Sequence, residues 1–422
     1  MTVGTNWAGN HVYRAERLHR PTSLEQVQEI VSAAERIRVL GSRHSFTDIA
    51  DSTELLSLEA VQSAATPLAG IEVDAAHGTV TLGGGVRYGE LADVLRDEGV
   101  ALHNLASLPH ISVAGAVATA THGSGVANGN LATAVAALEM VTSDGEIVRA
   151  SRGDADFEGM VVGLGALGAV TRLTLDVEPA YEVEQRVYEH LAWDSLSANL
   201  DAITAGGYSV SLFTLWGEDV DLVWVKSRTG QGAPPEGDLF GATPAAVDRN
   251  PVIGLDPTPC NPQLGRPGLW SDRLPHFRMG FTPSAGDELQ SEYLVGSGDA
   301  VAALEAVRSL AGRIRPLLLT CEIRTIAADR LWMSTAYDRA SVALHFTWKP
   351  EPDAVAGVLV ALEEALAPFG ARPHWGKVFR ADAGTIAPLY PRHADFLRLA
   401  ARLDPRGAFG NAWFERNVVG LR

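Results

Sequence analysis

Apolar residues in SLEQVQEIVSAAER, residues 23–36, recur at three- and four-residue spacing behind a serine, which predicts a helix capped by Ser23. IRVLGS follows as a short apolar run ending at a glycine, the pattern of a strand. The same alternation returns in GTVTLGGGV, a strand running into a glycine turn, and in YGELADVLRDEG, an amphipathic helix closed by Gly99. AVAALEMVTSDGEIVRA reads as two strands joined through Asp144 and Gly145, a dipeptide suited to a hairpin turn. From about Tyr181 the texture changes to strands such as YSVSLFTLW and VDLVWVK. A Pro/Gly-rich stretch from Thr229 to about Pro275 then reads as long ordered loops. SEYLV, the helix DAVAALEAVRSLAGRI, the strands LLLTCEIRT and SVALHFTW, and the helix AVAGVLVALEEALAPF complete the pattern. Together these elements predict an α+β protein whose second part is an antiparallel sheet covered by helices.

At 422 residues the chain is too long for one ordinary core, and its 46% hydrophobic and 20% charged residues are those of a folded globular protein. A formal charge of −17 repels phosphate backbones and anionic headgroups, so neither nucleic acid nor membrane is expected as a partner. The opening MTVGTNWAGN lacks a basic segment followed by an apolar one, and no later run approaches the ~20 apolar residues of a bilayer span. A cytoplasmic protein, monomeric by default, is expected. Cys260 and Cys321 lie far apart and suggest no disulfide framework. The 12 histidines show no HExxH-like spacing, so no metal is expected. No internal repeat is visible.

GLGALG, residues 163–168, satisfies G-x-G-x-x-G, but a strand-like segment, AVTRLTLDVEP, follows where a dinucleotide fold needs a helix. It is read as a turn. GSRHSF, GGGVRYGE and SLPHISVAGAVATATHGSG combine glycines with hydroxyl donors, which allows close backbone approach to a pyrophosphate. In TCEIRT the strand period of two puts Thr320, Glu322 and Arg324 on one face and Cys321 and Ile323 on the other. His345 and Thr347 share a face of the HFTW strand. Taken alone, a glutamate and an arginine so spaced read as a surface ion pair.

GSRHSF at 41–46, ASLPHISVAGAVATATHGSG at 106–125 and RPHWGK at 372–377 together resemble the vanillyl-alcohol-oxidase (PCMH) type of FAD enzymes, and within it the bacterial alditol oxidases. TCEIRT and HFTW fall in the matching order, and the likeness runs from NWAGN at Asn6 to the terminal LDPRGAFGNAWF segment. The resemblance implies a PCMH-type FAD-binding domain in two parts, residues 1–179 and a returning segment 372–422, with a substrate (cap) domain, 180–371, inserted between them. It implies FAD bonded covalently to His44. The neighbouring cofactor contacts would be Val39, Leu40, Gly41, Ser42, Arg43 and Ser45, then Ser107, Ser112, Gly115, Thr119, Ala120, Thr121 and His122, with Val170 and His374. Position 43 is often glycine in such proteins; here it is arginine, which makes a left-handed backbone less comfortable and suggests that Arg43 reaches toward the cofactor.

The resemblance also implies the reaction, oxidation of the terminal primary hydroxyl of a polyol such as xylitol, sorbitol or glycerol, with oxygen reduced to hydrogen peroxide. Removing hydride from a carbinol carbon needs positive charge at the oxygen, for which Arg324 and Lys377 are suited. Lys377 is one of only three lysines and is flanked by His374 and Trp375. Glu322, Ser107 and Thr347 would hold the neighbouring hydroxyls. Ala106, just before Ser107, bears on oxygen access. A sugar-1,4-lactone oxidase or dehydrogenase of the same superfamily is the alternative.

Overall fold

A computed structural model describes residues 3–59, 70–232, 234–278, 280–281 and 287–420. The chain begins with a small parallel sheet in which Glu54–Leu56 lies between Arg17–His19 and Ile37–Val39. Between two of these strands runs the helix Leu24–Ala33, where the Ser23 hydroxyl accepts from the Gln26 amide at 3.3 Å. Its buried stripe, Val27 and Val31, packs with Ile37, Leu56 and, from the far end of the chain, Phe409.

An antiparallel sheet of five strands follows, in the order Glu72–Asp74, Thr79–Gly83, Ala169–Asp176, Val135–Val141, Ile147–Ser151. The hairpin between the last two turns at Gly145, whose φ of 79° is the left-handed conformation that glycine adopts without penalty. The helix Tyr88–Asp97 buries Tyr88, Leu91 and Leu95 against this sheet's core. GLGALG lies in a turn between the short helix Phe157–Val161 and the strand Ala169–Asp176, as its flanking pattern predicts.

Among the described residues the second sheet has nine strands. Its six long members lie in the order Glu182–Ala192, Asp219–Arg228, Ser209–Thr214, Leu318–Ile326, Ser341–Trp348, Leu289–Gly296, every pair antiparallel. The helices Trp193–Thr204, Ala300–Arg308 and Pro352–Leu366 cover one face, where Leu304, Val307, Leu359 and Leu362 cluster with Cys321, Ile323, Leu344 and Phe346. That leaves the alternate residues of each strand facing the first domain. The helix expected over 299–314 is two pieces, Ala300–Arg308 and Ala311–Ile314. Leu310 leaves helical geometry at φ −92°, ψ 3°, and the Ser309 hydroxyl bonds back to the Ala306 carbonyl instead. The described residues of 229–275 are mainly loop, with two-residue strands at Thr243–Pro244 and Gly268–Leu269 on the sheet edge and a short helix Trp270–Arg273. Cys260 and Cys321 are both buried and unpaired.

Beyond residue 378 the chain leaves this sheet. Trp375, Ile386, Phe396, Leu399, Trp413 and Val418 share one apolar core with Val80, Leu91, Leu138 and Leu173. Asn411 clips the two chain regions together. Its amide nitrogen donates to the carbonyls of Asp48, Ile49 and Asp51, and its oxygen accepts from Arg38 and from the Phe414 amide. Asn411→Leu leaves these buried groups unmatched and is expected to lower the unfolding free energy by at least about 2 kcal/mol in urea titration.

Candidate active site

Where the polar face of the large sheet meets the loops of the first domain lies a cavity of about 540 Å³. Residues 39–46 and the segment around the helix Val113–Ala118 form one wall. The approach of these two depends on missing side chains. A Cβ at Gly41 would sit 2.5 Å from the Ser112 hydroxyl, and one at Gly115 2.6 Å from the same atom. The Ser42 hydroxyl accepts from the Ser112 amide at 2.9 Å and fixes the pair in register.

His44 lies in this wall, its ring stacked on Trp7 with centroids 5.5 Å apart. Burial pushes the imidazole down to about 4, so it is neutral near pH 7. Its Nδ1 is buried without a hydrogen-bond partner among the described residues. A neutral imidazole in the wall, beside an apolar strip of Val39, Leu40, Ala106 and Ile111, fits a flavin held against it. Arg43 has φ 63°, which costs a non-glycine residue roughly 1–2 kcal/mol. Its guanidinium donates to the Val3 carbonyl at 2.8 Å and sits 5.8 Å from the Tyr13 ring centroid, at the edge of the cavity.

Ser45, Ser107, Ser112, Thr119, Thr121, His122 and His374 also line the cavity. Ala120 and Val170 do not. Ala120, at φ 52°, is buried behind the wall, and Val170 is in the strand Ala169–Asp176, where its carbonyl occupies the space of a Gly84 Cβ.

The opposite wall follows from strand periodicity. Thr320, Glu322 and Arg324 face the cavity with His345 and Thr347, while Cys321 and Ile323 point into the apolar layer. Register aligns Glu322 with His345, and His345 with Glu292 on the next strand. Thr320, Thr347 and Gln290 form the adjacent row. Past the short strand Arg372–Pro373, the His374 amide donates to the Glu292 carbonyl and the Val378 amide to that of Gln290. This pairing carries Lys377 to the cavity.

Glu292 is a buried charge of the cavity lining that sequence reasoning missed. Its carboxylate is 2.6 Å from Lys377 Nζ, 2.5 Å from an Arg324 nitrogen and 3.2 Å from His122 Nε2. Burial alone would raise its pKa, but Lys377 and Arg324 hold it well below the usual carboxylate range. Burial likewise opposes ionisation of Glu322, and Arg324 and His276 overcome it. His276 Nε2 stands 2.8 Å from Glu322, and the Arg324 Nε 3.6 Å from it. For Lys377 burial prevails over Glu292 and lowers the ammonium pKa. Two carboxylates therefore balance the two cations that sequence alone places here. The available signal was LQSEYLVG, whose alternation puts Gln290 and Glu292 on one face. His276 lies in an aperiodic loop and left no such signal.

Such a wall can grip a chain of hydroxyl groups and hold positive charge at one of them, facing the wall that carries His44. Comparison with known proteins agrees with this division. Residues 15–151 match the family model of an FAD binding domain, and residues 288–417 that of D-arabinono-1,4-lactone oxidase. An alditol oxidase from Streptomyces sp. is 49% identical over 424 residues, covering 99% of this chain and 100% of that one. An L-gulono-1,4-lactone dehydrogenase of Mycobacterium tuberculosis is 28% identical, covering 99% of each chain. Cholesterol oxidase from B. sterolicum, at 15% identity, superposes with a TM-score of 0.79 over 98% of this chain and 96% of its own, which establishes the PCMH-type fold. No described helix is long and apolar enough to cross a membrane. With near-complete coverage at that level of identity, the chain belongs to the alditol oxidase family of FAD-dependent oxidoreductases.

Proposed function

We propose that this protein oxidises the terminal primary hydroxyl of a polyol such as xylitol or sorbitol, with FAD bonded covalently to His44 and oxygen as electron acceptor. The observation that carries the reading is the convergence of Lys377 and Arg324 on Glu292 in the cavity that also contains His44. When bound, the flavin supplies the hydride acceptor, and the organic chemistry of that exchange is its own. The chain supplies charge and alignment.

Lys377 and Arg324 stabilise negative charge developing on the substrate oxygen. Glu292 holds both cations in place, accepting from Lys377 Nζ and from Arg324. Glu322 accepts from a neighbouring hydroxyl, while Thr347 and Ser107 both donate and accept along the rest of the polyol. Val39, Leu40, Gly41, Ser42 and the segment 107–122 would hold the cofactor. In this reading the enzyme works as a cytoplasmic monomer.

The match to a lactone oxidase over residues 288–417 supports one second reading, a sugar-lactone oxidase or dehydrogenase. Peroxide release with xylitol, sorbitol and glycerol, compared with an aldonolactone, separates the two. Turnover confined to the lactone would overturn the polyol assignment. The covalent link has its own test. After acid precipitation of the wild type the yellow colour should stay in the pellet, whereas His44→Ala should release it or never acquire it. A yellow His44→Ala pellet would disprove the attachment site.

A further inference from the structure

The cavity does not account for Lys226, one of the three lysines, which lies in the strand Asp219–Arg228 and is 1% exposed. Among the described residues no carboxylate is within ion-pairing distance of it, an expensive arrangement for an ammonium group. Its Nζ instead donates to the Leu274 carbonyl at 2.5 Å and the Pro275 carbonyl at 3.3 Å, and lies 3.2 Å from His276 Nδ1. The other ring nitrogen of His276, Nε2, is the one 2.8 Å from Glu322. Trp224 and Phe213 pack edge-on to the imidazole at 5.2 and 5.4 Å, and the Asn261 amide donates to the His276 carbonyl at 2.9 Å, so the ring has little freedom.

Hydrogen-bond chemistry fixes the protons along this chain. Glu322, ionised beside Arg324, can only accept, so His276 must carry its hydrogen on Nε2. Burial lowers His276 to about 4, and a neutral ring has one hydrogen only. Nδ1 is then an acceptor, and the donor facing it is Lys226. Without that donor Nδ1 is a buried acceptor facing no hydrogen, and the ring loses the bond that anchors it on the side away from Glu322.

We propose that Lys226 and His276 are positioning residues: Lys226 anchors the imidazole through Nδ1, and the Nε2–H of His276 holds the Glu322 carboxylate in place as an acceptor for substrate hydroxyls. The inference rests on the polyol reading of the same site. Lys226 lies outside the cavity lining, and His276, at that lining, acts through Glu322.

Glutamine can reproduce this pattern, with its oxygen accepting from Lys226 and its amide donating to Glu322, whereas leucine cannot. His276→Gln holoenzyme should keep a KM for xylitol within about threefold of wild type. His276→Leu should raise KM at least about tenfold with kcat changed less, the split expected when binding common to ground and transition states is lost. Equal KM values for the two variants would overturn the proposal. Long-range ¹H–¹⁵N spectra of histidine-labelled holoenzyme, with His276→Gln identifying the signal, read the tautomer without turnover. The Nε2–H form is expected in the wild type, with the Nδ1 signal of Lys226→Met moved toward that of an unbonded ring nitrogen. A wild-type Nδ1–H form, or a Lys226→Met spectrum unchanged from wild type, would also overturn it. If the wild type shows the expected tautomer but turns over no polyol, the substrate assignment fails instead.

Discussion

Replacing Lys377 by methionine in the flavin-loaded protein is expected to lower kcat for a polyol by about 10²–10³-fold, the effect of deleting one preorganised charge at a developing oxyanion, roughly 3–4 kcal/mol. Methionine keeps most of the side-chain length and removes the charge. The segment itself should hold, because Trp375 is fully buried and its indole donates to the Met333 carbonyl at 2.7 Å. Turnover at saturating substrate, scaled to flavin absorbance, is the measurement. Near-normal turnover would reduce Lys377 to a counter-ion for Glu292.

Glu292→Gln should do the opposite kind of damage, leaving the cations present but uncompensated. Removing one member of a buried ion pair typically costs about 3–5 kcal/mol, and a loss of that order is expected in denaturant unfolding at neutral pH. The pH dependence has a definite sign. Glu292 titrates well below 4.5 when folded and near that value when unfolded. Its contribution is therefore complete above pH 4.5 and is lost as pH falls toward the folded value. The stability gap between wild type and variant should narrow in acid. The kinetic consequence concerns Lys377, whose pKa is already depressed by burial and supported by Glu292. Without that support it falls further, and the alkaline limb of kcat/KM should move to lower pH. A gap that widens in acid, or an unmoved alkaline limb, would contradict the ion-pair description.

Elements whose burial repeats with their own geometry could be read from the residues. The Ser23-capped helix, the hairpin at Gly145 and the two faces of TCEIRT all follow local rules, and the structure has each of them. The break at Leu310 was hidden, since DAVAALEAVRSLAGRI keeps helical spacing across it and only the backbone angles reveal the stop. Fully buried charge was harder still. Glu292 looks like an ordinary polar position on an alternating strand, and its meaning arises from Arg324, Lys377 and His122, which other parts of the chain deliver. The discomfort foreseen for Arg43 corresponds to its φ of 63°, but nothing in GSRHSF indicates that its guanidinium ends at the Val3 carbonyl.

The shared core of early and late residues sets an order of assembly during synthesis. The strands between Glu182 and Trp348 are complete before Trp375, Phe396 and Trp413 leave the ribosome, so the large sheet can mature while the first core still lacks one side. Closing that gap joins partners such as Arg38 and Asn411 across 373 residues, yet loop entropy grows only logarithmically with such a span. His44 is thus made among the first residues of the chain, while Lys377, across the same cavity, is supplied among the last. The proposed bond between FAD and His44 would then form at the final stage of maturation, when both walls exist.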